Sequence, residues 1–328
     1  MAQQSPWTAA PAEASSSPFQ LAALRFRRDG SHQIGEGVLA MQTIDLAYVE
    51  RGVHEELVAQ VADQEGYYED EGVHVAIRNG IGWDPERLRR GASIGLGRAL
   101  LHRLTGGIGW QVLSVNTHRP LFWFLGNADV TSMADLRARR VAVHPGQTAP
   151  GWFTRIVLRE HGLDPDRDLE CVVRLPGDYQ MDLRRLKDGS IDAACVGTTF
   201  SPEQVAEEEG FYVLAWVGDH IQIPTVGVAV DPVHIPLDSP ALQALVRANN
   251  RALQTIAEQP SLAVDYIASF LDRLTRDEVQ QYYERYIGPF FTPDGLVDLN
   301  VAQQGIDAVA AELGLASVAA DEIYQPPQ

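Results

Sequence analysis

The sequence predicts an α/β protein of two domains, each a mostly parallel sheet flanked by helices, with a helical C-terminal part. Three observations carry this. Short apolar runs bounded by turn residues alternate with amphipathic stretches, the pattern of strand-helix-strand units with right-handed crossovers. The alternation occurs twice, and 328 residues with 45% hydrophobic content are enough for two cores. From Ser239 onward the pattern is predominantly helical.

Residues 1–38 are expected to be disordered or irregular, the first eighteen being rich in Ala, Ser and Pro. They contain neither the basic start nor the apolar core of a signal peptide, and the twin Arg27 and Arg28 are followed by the interrupting Asp29, Gly30 and Glu36. The expectation is therefore either a leader already removed or a cytoplasmic protein.

Thr43 to Val49 reads as the opening strand, followed by a turn at Glu50 to Gly52, a helix to about Glu65 and a second strand, Val73 to Ile77. That turn is too poor in glycine for a dinucleotide fingerprint. Tyr48, Glu50, Arg51 and His54 stand at or just beyond the strand's carboxyl end, where open α/β sheets place their ligands. Solvated helix-start charges and a surface imidazole are the plainer readings of the last three. Residues 86–107 supply a short charged helix, a strand from Ser93 to Leu96 and a helix from Gly97 or Arg98. Gly97 and Arg98 lie at the mouth of the same crevice, with Arg98 suited either to clamp an anion or to pair on the surface. Gln111 to Val115 and Leu121 to Leu125 are two further strands, and the triplet Phe122, Trp123 and Phe124 is assigned to core. Ser132 and Asp135 have capping-box spacing at a short helix that delivers the chain to the second domain.

Val141 to Val143 is a strand ending near His144, Thr148 caps the next helix, Pro150 suits its first turn and Gly162 marks its stop. The first amides of that helix carry the positive end of its dipole. Gln147 and Thr148 are thus placed to receive a carboxylate, sulfonate or phosphate, unless the turn is an ordinary capped one. Cys171 to Leu175, a helix, and Ile191 to Val196 repeat the order, and Ser201 with Pro202 starts another helix ending at Gly210. Asp178, Tyr179, Thr198, Thr199 and Phe200 fall at strand exits on the side of Gln147, although turn chemistry accounts for Asp178 equally well. Val213 to Val217 and Thr225 to Val230 carry the chain back, with His220 and Gln222 on the crossing between them. The first domain is then 39–126 with 222–328, and the second 127–221. The C-terminal part shows amphipathic spacing at Leu242, Leu245, Val246 and Leu253, a capping box at Thr275 and Glu278, a packing turn at 288–293, and a helix from about Leu299 to Leu313.

The formal charge of −18, with Lys187 the only lysine, disfavours nucleic acid and anionic membrane as partners. Cys171 and Cys195 lack His neighbours at metal-ligand spacing and are expected to be buried free thiols. No apolar run is long enough for a transmembrane helix, and no metal or other cofactor is expected.

Several stretches together resemble the substrate-binding proteins of ABC importers, in the branch of sulfonate, nitrate and taurine binders and of thiamine pyrimidine-precursor binders. They are EGYYEDEGV (65–73), IGLGRALL (94–101), VTSMADLRARRVAV (130–143), PGQTA (145–149), LPGDYQMDLRRLKDGSIDAA (175–194) with SPEQVA (201–206), and ELGLAS (312–317). The resemblance implies a periplasmic-binding-protein-like (type II) fold, in which two lobes joined by two crossings close over a small ligand, and it implies a transporter permease as partner. It places contacts at the turn after Val49, at Leu96 to Arg98, at Gln147 and Thr148, at Asp178 and Tyr179, and at Thr198 to Phe200. The segment GTTFSP (197–202) departs from the aromatic and acid of many relatives.

The expected function is capture of a small acidic or zwitterionic organic ligand, with or without a ring, by hinge closure, with no catalytic residues and an extracytoplasmic location if a leader has been removed. The alternative is a cytoplasmic lyase, decarboxylase or hydrolase on the same fold, with His54, His144 or His220 as acid or base. A third reading is a ligand sensor acting on another protein.

Overall fold

The computed structural model describes residues 41–49, 52–146, 148–174, 179–197 and 201–325, so residues 1–38 lie outside the described part. The strands are β1 (Gln42–Tyr48), β2 (Val73–Asn79), β3 (Ala92–Ile94), β4 (Gln111–Thr117) and β5 (Trp123–Gly126). They continue with β6 (Arg140–Val143), β7 (Glu170–Val173), β8 (Ala193–Val196), β9 (Tyr212–Trp216) and β10 (Val226–Val230). They form two sheets, ordered β2-β1-β3-β10-β4 and β7-β6-β8-β5-β9. In the first, β1 is parallel to β2 and β3 while β10 runs against β3 and β4. In the second, β6 is parallel to β7 and β8 while β5 runs against β8 and β9. Each sheet is thus mostly parallel in direction, with one reversed strand in fourth place.

That reversed strand explains the topology. Both β5 and β10 enter their sheet from the other lobe, and strands arriving that way run opposite to those built by right-handed strand-helix-strand crossovers. All residues of β5, β8 and β10 are buried, as expected of strands covered on both faces. The assignment of residues up to 126 to the first domain therefore differs from the observed sheets at β5. A wholly apolar strand carries no periodicity that names its partners. The segment between β4 and β5 is the first crossing, since the two strands belong to different sheets.

The two crossings lie side by side. Ile223 N–H donates to His118 O (2.7 Å), Val217 N–H to Phe122 O (2.8 Å) and Trp216 Nε1 to Pro120 O (2.9 Å). The second crossing opens with one helical turn, Val217–His220, so the strand expected to reach Val217 stops at Trp216.

The helix Pro240–Glu258 covers the first sheet, burying Leu242, Leu245, Val246 and Leu253 as their spacing predicts, and Tyr68 donates to its Asn249 (2.7 Å). The turn of π-helix Tyr283–Ile287 sets Tyr286 edge-on against Trp123 and Trp216, at 5.0 and 5.1 Å between centroids. The helix Leu299–Leu313 crosses toward the second lobe, where Arg155 and Arg159 both donate to Glu312, at 2.6 and 2.8 Å. Its Gly305 rests on Ile223, leaving no room for a Cβ. The following chain returns to the first sheet, where Val112 N–H donates to Ile323 O (2.8 Å). Cys195 is buried, but Cys171 is exposed because β7 is an edge strand, which corrects the expectation of two buried thiols. No described helix is long and apolar enough to cross a membrane.

Candidate functional site

The carboxyl ends of β1, β3 and β6 meet at a cavity of ≈ 280 Å³ between the sheets, with both crossings in its wall. From the first lobe, Gly52 starts the helix Val53–Gln64 at φ 132°, a conformation open to glycine, so that His54 turns inward at once. His54 is 1% exposed; its Nε2 lies 2.9 Å from Thr225 Oγ1 on the second crossing. Burial pulls its pKa down to about 3. It is therefore neutral near pH 7, and its 3.6 Å approach to the buried Glu55, which also lines the cavity, is not an ion pair.

The turn after β3 supplies a second wall. Gly95 has φ 108°, and a Cβ there would meet Val49 at 2.2 Å. The helix Leu96–Gly106 begins at once and presents Arg98, Leu101 and His102 to the cavity. Arg98 and His102 are one turn apart on one face, and burial followed by the charge of Arg98 lowers the pKa of His102. Trp83 closes this side, with the Arg87 guanidinium 3.8 Å above its ring.

The second lobe contributes the start of the helix Ala149–Glu160, with Thr148, Ala149, Pro150 and Phe153 on the cavity. The Thr148 hydroxyl donates to Pro145 O (2.7 Å) and accepts from Gly151 N–H (3.2 Å). Trp152 N–H is taken by Thr148 O, and Pro150 has no N–H. Of the first four helical amides, only that of Ala149 is not accounted for among the described residues, so this helix start offers an anion little by itself. Gly97 lies so close to it that a Cβ would fall 2.4 Å from that of Ala149. Phe122 forms part of the floor, with its ring 6.0 Å from Phe153, 5.6 Å from His144 and 6.5 Å from His54.

The structure thus brings His54, Gly97, Arg98 and Thr148 together. Tyr48 is buried at the end of β1, and His144 is buried beside Phe122, with a pKa lowered well below the usual value by burial and by Arg174; neither lines the cavity. Gln222 is exposed on the second crossing, and His220 pairs with Glu160 (3.1 Å) away from the cavity. Glu50, Arg51, Gln147, Asp178, Thr198, Thr199 and Phe200 lie outside the described residues, and Tyr179 is described only as the first residue of a helix. The sequence reading missed Glu55, Trp83, His102, Phe122, Phe153 and Thr225. His102 had a usable signal, its four-residue spacing from Arg98. Neither cysteine lines the cavity, and no group of three metal-ligating side chains occurs among the described residues.

Solved structures share this fold at low identity. The periplasmic aliphatic sulphonate binding protein SsuA of Escherichia coli has 17% identity and a TM-score of 0.67, covering 88% of this chain and 93% of that one. The alkanesulfonate-binding protein SsuA of Xanthomonas axonopodis pv. citri, bound to MOPS, has 15% identity and a TM-score of 0.65, over 86% and 98%. The desulfurization enzyme DSZB has 16% identity and a TM-score of 0.64, over 86% and 96%. No curated protein matches the sequence. The profile described as "NMT1/THI5 like" matches residues 57–263, more than half of the chain. With the two-sheet, two-crossing architecture of a periplasmic binding protein around its cleft, the chain belongs to the NMT1/THI5-like family.

Proposed function

We propose that the protein is the substrate-binding component of an ABC importer, working outside the cytoplasm and capturing a small organic acid by closing its two lobes. The observation that carries this is the composition of the cavity wall, drawn from both lobes and both crossings, with Arg98 on one side and the start of the Ala149–Glu160 helix on the other. A ligand touching both sides favours the closed state by the contacts that exist only there. The volume of ≈ 280 Å³ corresponds to about nine waters at their share of the liquid, so the ligand has on the order of ten non-hydrogen atoms. Arg98 supplies a permanent positive charge for an acid group, and two fold neighbours are sulfonate binders by name.

Catalysis has weaker support. A histidine held at a pKa of about 3 is a poor base near neutral pH, and no thiol reaches the cavity. The test is a thermal-shift screen of sulfonates and carboxylates, with mass spectrometry of each recovered compound. A saturable rise in Tm with the compound unchanged supports binding, since a ligand at a hundredfold its Kd stabilises by about 2.7 kcal/mol. A chemically altered product contradicts it.

A further inference from the structure

We infer that His102 is a second ligand contact beside Arg98, and that an acid enters the site together with a proton that His102 holds as an imidazolium. It rests on the binding reading above and adds a residue and a proton to it. Arg98 and His102 stand four residues apart on one face of the helix Leu96–Gly106, and both line the cavity. His102 is half-buried, and its Nδ1 is buried with no hydrogen-bond partner among the described residues. A buried nitrogen left so is costly; an acid oxygen satisfies it once the ring is protonated, since an imidazolium donates from both nitrogens. Without a ligand, burial and then the charge of Arg98 lower the pKa of His102, so the ring is neutral near pH 7. An anion reverses the second cause. As a sphere, ≈ 280 Å³ is about 8 Å across, no more than the Debye length at physiological salt, so an anion anywhere inside acts on His102 little screened. The helix Ala149–Glu160 and the second crossing bring only uncharged side chains to the wall, and Arg87 lies over the Trp83 ring. Of the remaining described wall groups, His54 is held at a pKa of about 3, and Glu55 is the one other side chain that titrates.

The probes are propane-1-sulfonate, benzenesulfonate and benzoate, each ionised at about pH 6 and above, so a proton taken up on binding is the protein's. Proton uptake is read by pH-stat in unbuffered chloride solution, and affinity by calorimetry in amine buffers, which carry no acid group to compete. At about pH 6 the wild type is expected to take up about half a proton or more per bound acid, and at about pH 8 less than about a tenth. Affinity is expected to be at least about fivefold tighter at the lower pH, because binding that takes up a proton strengthens as protons become plentiful. In His102→Gln, which keeps a polar side chain that does not titrate, uptake is expected to vanish and the affinities at the two pH values to agree within about twofold. Binding without uptake in the wild type overturns the inference. So does uptake that survives in His102→Gln, which places the proton on Glu55, and so does refusal of all three probes by a protein that binds other organic acids. Failure of every organic acid to bind overturns the functional reading itself.

Discussion

Arg98 and His54 divide the work of the cavity by their ionisation. A guanidinium does not lose its proton, so Arg98 gives the site a charge at every pH. Arg98→Ala is expected to weaken binding of any acidic ligand by at least about tenfold in calorimetry, with Tm little changed because the side chain is only half-buried. His54 is the opposite case. Its folded pKa of about 3 lies below the ordinary histidine value of 6.5, so the unfolded chain takes up a proton that the folded chain excludes. The stability this contributes is complete above about pH 6.5 and is lost as the pH falls toward 3. Denaturant unfolding at about pH 7.5 and pH 4.5 is expected to show the wild type losing about 3 kcal/mol more than His54→Gln. Equal losses in the two proteins contradict that role. The burial of His54 was not legible, because a histidine at a helix start looks the same in sequence whether it faces solvent or a crossing strand.

At the scale of elements, what was readable was local. The capping boxes at Ser132 with Asp135 and at Thr275 with Glu278, and the Thr148 cap, each close within three residues, so composition alone revealed them. Strand partners were not readable, as β5 shows: pairing is settled by distant segments, and an apolar run says only that it is buried. The cavity residues Phe122 and Thr225 were missed for the same reason, since their role depends on two crossings meeting. Thr148→Ala removes a cap and is expected to cost about 1 kcal/mol in equilibrium unfolding. Gly97→Val tests the approach of the lobes. The added side chain enters space held by Ala149, so ligand affinity is expected to fall at least about tenfold, and small-angle scattering is expected to show no compaction on adding ligand. Unaltered affinity argues against closure at this point.

Over the whole molecule, two sheets of identical strand order are tied together by more than their crossings. Glu312 gathers Arg155 and Arg159 of the second lobe, and Glu203 of that lobe pairs with Arg285 (2.7 Å) and Tyr286 of the π-helical turn. Glu312→Ala leaves two partly exposed arginines without this acceptor and is expected to destabilise the fold by about 1–2 kcal/mol in denaturant titration. The adjoining crossings have a mechanical consequence. In a lever, points at the fulcrum scarcely travel while the tips sweep widely. Phe122 and Thr225 stand at the fulcrum of the proposed closure, whereas Gly97 and Ala149 stand further along the arms. The floor of the site is therefore ready before the jaws meet. On the proposed closure, substitution of Phe122 is expected to change the association rate of a ligand and substitution of Gly97 its dissociation rate, as stopped-flow binding would read.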